Sequence, residues 1–304
     1  MRDEQREPPS EAAPPWKTGL FLNEQGLRPG WRLVVFVLLL LGLSFPLHDL
    51  IRIIVHFRES SFPVMGVELF EEVGAFGIVL LASFVMSRIE HRPMGKYGLP
   101  ANELLGGKFW LGFLFGLAEI SLLVGLIAAF GGYSFGSLAL RGNALLLWGL
   151  FHLLLFLVVG LYEEFLFRGY LQFTLGDGIG FWPAALLLSL LFGSGHLTNP
   201  GEGIVGATSV FLIGLVWCFT LRRTGSLWYA VGMHASFDWG ETFLFSVPNS
   251  GTVWEGHLSN AVLHPGPKWL TGGTVGPEGS VFCFLTMGLQ VLVVLWLFPR
   301  KKPG

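Results

Sequence analysis

Apolar stretches of about twenty residues alternate with short polar breaks along most of this chain. Each is long enough to cross a bilayer as a helix, given ~1.5 Å of rise per residue and a hydrocarbon core of roughly 30 Å. The pattern predicts eight spanning helices, at about 31–51, 64–88, 109–131, 143–175, 181–199, 203–222, 226–247 and 280–298. Glycine and proline mark the breaks, at Gly106-Gly107, Gly131-Gly132, Gly176-Asp177-Gly178 and Pro200-Gly201. The fourth stretch is longer than one crossing needs, so it must tilt, protrude or break. The fold class that follows is all-α, a polytopic membrane helix bundle with about eight transmembrane helices. No internal repeat is visible.

Composition agrees. Of 304 residues, 52% are hydrophobic and only 13% charged, which excludes an ordinary soluble domain. A net charge of −2 gives no electrostatic basis for binding nucleic acid. Cys218 and Cys283 lie in apolar runs and read as packing residues rather than a disulfide or metal pair. The first 18 residues are polar and rich in Pro and Glu, which reads as a disordered tail, and no secretory signal peptide is evident. The chain thus divides into a disordered cytoplasmic tail (1–30), three accessory helices (31–142), a core of helices four to seven (143–247), a Gly/Pro-rich loop (248–279), and a last helix with a basic tail (280–304).

Charge sets an orientation. With the N-terminus in the cytoplasm, 15 of the 19 Lys and Arg residues fall on the inner side, leaving Arg52, Arg58, Arg141 and Lys268 outside. The loop 248–279 is then extracytoplasmic. Its Trp254 and Trp269 suggest that it rests on the bilayer interface or caps the bundle, with a poorly ordered connector as the alternative.

Within this apolar background, residues 162–170 read YEEFLFRGY. A charge at the bilayer centre costs roughly 2.5–3.5 kcal/mol on insertion scales, so Glu163, Glu164 and Arg168 need a reason. Glu164 and Arg168 are spaced i, i+4 with the acid first, the favourable order for an ion pair. Adjacent helical residues point about 100° apart, so Glu163 can face elsewhere while Glu164 neutralises Arg168. Helices four and five form a hairpin about Gly176–Gly180, and the midpoint of Glu163 and His196 falls inside that turn. Equal rise in both helices places the two side chains at similar depth. His234 and Asp238 share a face of the seventh helix at i, i+4 and enter from the same end. The chemistry available is a carboxylate that takes a proton from water, with imidazoles that bind a divalent metal or steady an oxyanion. The soluble zinc-protease pattern H-E-x-x-H is absent, so any ligand set is drawn from different helices.

Three motifs follow one another: Glu-Glu-x-x-x-Arg (Glu163, Glu164, Arg168), Phe-x-x-x-His (Phe192, His196) and His-x-x-x-Asp (His234, Asp238). In this order, on three predicted spans, they resemble the CPBP intramembrane proteases. That family unites type II CAAX prenyl endopeptidases with bacteriocin-processing and abortive-infection-like proteins. The similarity covers about residues 143–247. The third motif usually ends in Asn. Asp238 is a variant that leans toward orienting a histidine or holding a metal, because an ionised Asp has no proton to donate.

The resemblance implies an intramembrane endopeptidase. Glu163 would activate water, His196 and His234 would bind that water or a metal, Asp238 would complete the site, and Glu164 and Arg168 would orient the first motif. Glu163, His196, His234 and Asp238 are the candidate ligands for Zn2+, with a metal-free glutamate mechanism equally open. Substrates would be membrane-embedded or lipidated peptides or proteins. The segment GPKWLTGGTVGPEGS resembles a tail of bacterial members, which implies a bacterial inner-membrane protein. The positive-inside reading places the water path in the cytoplasmic half. The competing reading is a non-catalytic membrane protein, either a proton-coupled transporter or an immunity or scaffold protein. Glu119 reads as an interhelical hydrogen-bonding residue, His152 as packed, and Glu68, Glu71 and Glu72 as helix-start acids without function.

Overall fold

The computed structural model describes residues 19–23, 26–56 and 64–299. Most of the predicted tail and the basic C-terminus lie outside them. Residues 22–23 and 26–27, assigned above to a disordered tail, form a small antiparallel pair, β1 (Leu22–Asn23) and β2 (Gly26–Leu27). The helices are α1 (Pro29–His56), α2 (Val64–Ile89), α3 (Gly107–Ala129), α4 (Gly142–Glu164), α5 (Leu171–Ile179), α6 (Phe181–His196), α7 (Ile204–Thr224), α8 (Trp228–Trp239), the short α9 (Lys268–Thr271) and α10 (Val281–Leu297). This is a polytopic helical bundle.

Five stretches among the described residues are long and apolar enough to span a membrane: Pro29–Ile53, Gly66–Ile89, Gly107–Ala129, Gly142–Ile179 and Ile204–Thr224. Their outward faces are apolar, with Leu38, Phe45, Leu146 and Leu147 exposed as lipid-facing side chains. The long fourth stretch breaks, as its length requires. Between α4 and α5 lies a π-helical turn, Phe165–Tyr170, in which Gly169 leaves helical geometry at φ −86°, ψ −118°. Such turns recur at functional sites because they re-aim side chains out of the regular spiral. Gly180, at φ +91°, turns the chain from α5 into α6.

The seventh predicted span, 226–247, is a buried one. α8 has 12 residues, and Trp228 through Ser236 are all buried. It is a core helix, extended by a second π-helical turn at Gly240–Leu244. Close backbone approach explains how it fits. A Cβ at Gly112 or Gly116 of α3 would overlap the carbonyls of Tyr229 or Met233, and one at Gly232 would overlap the carbonyl of Phe109. Small residues at such spacing let membrane helices pack backbone to backbone.

One end of the bundle is tied by ions. Arg32 on α1 meets Glu90 at 2.7 Å and Asp177 at 2.9 Å, and Arg92 meets Asp177 at 2.7 Å. The Tyr170 hydroxyl donates to Glu90 at 2.5 Å. At the other end, β3 (Tyr133–Ser134) pairs with β4 (Val262–Leu263), which folds the long loop onto the bundle. The Leu258 amide donates to the Phe243 carbonyl and the Gly251 amide to the Val275 carbonyl. The loop is an ordered cap rather than a plain connector.

Candidate active site

Glu163 and Glu164 end α4, and the π-helical turn that follows carries Arg168. The two acids part company, as their angular offset requires. Glu164 is turned into the protein, fully buried, with its Oε1 3.1 Å from Nη1 of Arg168. Arg168 is itself buried, with its guanidinium 4.4 Å from the Phe192 ring and 5.2 Å from the Trp217 ring. A desolvated cation gains most from aromatic faces and from a hydrogen-bonded counter-ion. Phe192 therefore does more than fill space: it seats Arg168 and meets the His196 ring edge-on at 4.7 Å.

Glu163 faces a cavity of about 440 Å³, and its side chain keeps 24% of its exposure. His234 joins the two acids. Its Nδ1 lies 3.3 Å from Glu164 Oε1, and its Nε2 lies 3.6 Å from Glu163 Oε2 and 3.4 Å from Asp238 Oδ2. Trp217 stacks on the His234 ring at 4.4 Å. His196 lines the same cavity from α6. Its Nδ1 is 2.9 Å from the Phe192 carbonyl, which can only accept. Nδ1 must therefore carry the proton, and in the neutral ring Nε2 keeps a lone pair. All six residues singled out in the sequence are thus gathered around this cavity or directly behind its wall.

Three further acids on the wall were not read as functional from sequence. Glu68, Glu71 and Glu72 open α2, and all three line the cavity. Nothing in the spacing distinguishes them from ordinary acids at a helix start; only packing α2 beside α4 brings them here. Glu71 is exposed, so the cavity reaches the surface at this point. Asn199, Ser250, Thr252 and Trp254 wall the same end. This end is opposite the Arg32–Glu90 cluster. With a cytoplasmic N-terminus this mouth would open on the outer half, not on the cytoplasmic half expected for the water path. Glu278, from the loop before α10, also lines the cavity. Burial and the charge of Asp238 push the Glu278 carboxyl up to about 8.

Glu119 lines the cavity as well, with one carboxylate oxygen lacking a partner. His152 is packed, with its Nδ1 3.0 Å from the Trp148 carbonyl. Cys218 and Cys283 are buried free thiols.

The zinc set can be tested on donor geometry. Tetrahedral zinc, with bonds of about 2.0–2.1 Å to nitrogen, needs donors close to one another. Among the described residues, the group of three or more donors within 4.8 Å of one another is Asp238, Glu241 and Glu278, which contains neither histidine. Glu163, His196 and His234 are outside that group, although Nε2 of His234 lies 3.6 Å from Glu163 and 3.4 Å from Asp238.

Residues 146–240 match the family model described as type II CAAX prenyl endopeptidase Rce1-like. The matched segment contains all six site residues and supports the resemblance to the CPBP proteases, and with it a CAAX-type intramembrane protease acting on a membrane-associated peptide. No curated protein and no solved structure matches the chain.

Proposed function

We propose that the core of this chain is a CAAX-type protease that hydrolyses a peptide bond of a membrane-anchored or lipidated peptide, with Glu163 as the general base. The observation that supports this reading most is the division of labour between adjacent carboxylates. Glu164 is committed to Arg168 and His234, whereas Glu163 reaches the cavity.

In this mechanism a water sits between Glu163 and Nε2 of His196, donating one hydrogen to each. As the water oxygen attacks the scissile carbonyl carbon, its proton passes to Glu163. The tetrahedral adduct then collapses, the C–N bond breaks, and Glu163 returns the proton to the leaving amine. His234 acts as a positioning residue: Glu164 fixes it through Nδ1, and its Nε2 steadies Glu163. Asp238 shares that duty, in keeping with its lack of a donatable proton when ionised. No step in this scheme passes through a metal. The acids at the mouth favour substrates with basic residues near the cleaved bond, by simple charge complementarity.

The test is cleavage of a lipidated peptide by the purified protein in liposomes, wild type against Glu163→Gln. A general base contributes about 10²–10⁴-fold, so Glu163→Gln should lose at least a hundredfold while unfolding at the wild-type temperature. Full activity in that variant would sink the reading. Proton-gradient-driven flux without cleavage would replace it with a transporter.

A further inference from the structure

Asp238 has two acidic neighbours besides His234. Glu241 follows three residues later in the π-helical turn Gly240–Leu244, on the same side of the helix. Glu278 arrives from the loop. One oxygen from each carboxylate lies within 4.8 Å of those of the other two.

Three clustered acids repel one another and prove nothing alone. Glu241 supplies the second observation. Its side chain is 0% exposed, and neither carboxylate oxygen has a hydrogen-bond partner. Leaving both oxygens of a buried acid without donors is costly, and such groups call for an explanation. Gly276 sits at φ +118°, and a Cβ there would overlap the Pro248 carbonyl and lie 3.3 Å from Glu241 Oε1. Glycine alone lets the chain pass so close. Glu278 is held in place by Ser250, whose amide and hydroxyl each donate to Oε2 at 3.0 Å. That is how a ligand carboxylate is oriented by its outer partners.

We propose that Asp238, Glu241 and Glu278 bind a hard divalent cation of the calcium class, which staples the loop 248–279 onto α8. All three donors are oxygens, the set preferred by Ca2+ over softer metals. Calcium takes such ligands at about 2.3–2.6 Å, so two of them on one ion stand up to about 5 Å apart. The observed spacing is one such an ion spans. The residual coordination goes to water and backbone carbonyls. The site shares Asp238 with the histidine pair, and its test reads Ca2+ binding at Glu241 and Glu278 rather than proteolysis.

The experiment uses the full chain in detergent, stripped with EGTA, then titrated with Ca2+ by calorimetry and thermal unfolding. One Ca2+ per chain should bind, raise the unfolding temperature by several degrees, and slow protease nicking within 248–279. Glu241→Gln and Glu278→Gln should each weaken Ca2+ binding at least tenfold. Absence of Ca2+ binding by the wild type at millimolar concentration overturns the proposal whether or not the variants fold. So does unchanged binding in both variants, or tight binding of Zn2+ alone. A rise in EGTA-state stability in both variants, with no response of the wild type to Ca2+, would identify the cluster as acids sharing protons and would equally overturn it.

Discussion

Replacing Glu164 by Gln isolates a charge with little change of shape. The Glu164 and Arg168 side chains are 0% and 1% exposed, and the ion pair between them is 3.1 Å long. Arg168 Nη2 already lacks a partner. Its neighbours besides Glu164 are the rings of Phe167, Phe192 and Trp217. Aromatic faces contribute about 2 kcal/mol or more each when desolvated, but they carry no formal charge and do not replace a counter-ion. Removing one member of a buried pair costs about 3–5 kcal/mol, because the other charge stays buried without compensation. For a chain of this size that corresponds to a fall in unfolding temperature on the order of 10 °C. Gln still accepts a hydrogen bond from His234 Nδ1, so the loss reports the charge. The measurement is thermal unfolding of the detergent-purified protein, wild type beside Glu164→Gln, Arg168→Met and the double variant. The double variant should recover at least half of what either single variant loses, since it strands no charge. A Glu164→Gln protein that unfolds within 1–2 °C of wild type, by this same roughly 2–4 °C per kcal/mol scale, would refute the reasoning. Glu163→Gln provides the contrast: its carboxylate is open to the cavity and should cost little stability while removing the chemistry.

Three further outcomes are expected. Gly116→Ala should push α8 away from α3 and cost about 1–3 kcal/mol with loss of cleavage, whereas Gly125→Ala, whose Cβ would meet nothing within 4 Å, should be neutral; equal unfolding temperatures would show that the contact yields freely. Cleavage should survive a zinc-selective chelator, because the histidines and Glu163 are not gathered as mutually close donors; near-stoichiometric zinc lost from both His196→Ala and His234→Ala would overturn that. Single cysteines placed at Glu71 and Lys96 should be labelled from opposite sides of the membrane, with Glu71 outside if the N-terminus is cytoplasmic; labelling from one side would reverse or break the assigned topology.

Much of the bundle was legible because lipid exposure writes itself into long apolar runs. Boundaries of α2, α3 and α7 fall within two or three residues of the hydropathy pattern. α8 was legible as a helix but not as a buried one. Tyr229, Ala230, Val231 and Met233 look the same to hydropathy whether they face lipid or protein, and only the glycines they pack against distinguish the two. In the site, periodicity sufficed for pairs on one helix: Glu164 with Arg168, and His234 with Asp238. The equal-depth argument placed His196 because a hairpin fixes relative height without knowledge of packing.

What the sequence concealed came from contacts between distant segments. Glu278 lies 40 residues after Asp238 in a stretch that reads as loop, and Glu68, Glu71 and Glu72 carry no spacing that relates them to Glu163. These acids put more carboxyl groups on the cavity wall than the three motifs alone imply. That matters for mechanism. A carboxylate acting as base at Glu163 works beside Asp238 and His234, and faces a mouth lined by α2's acids. Added cationic charge, whether from a basic substrate or from an ion at Asp238, Glu241 and Glu278, would lower the repulsion that an ionised Glu163 feels. Substrate arrival and base activation are thus coupled by electrostatics, and a peptide bearing Lys or Arg beside the scissile bond should gain in kcat/KM over its neutral analogue. The gain should shrink as salt is raised, since the Debye length falls from about 10 Å at 0.1 M to about 3 Å at 1 M.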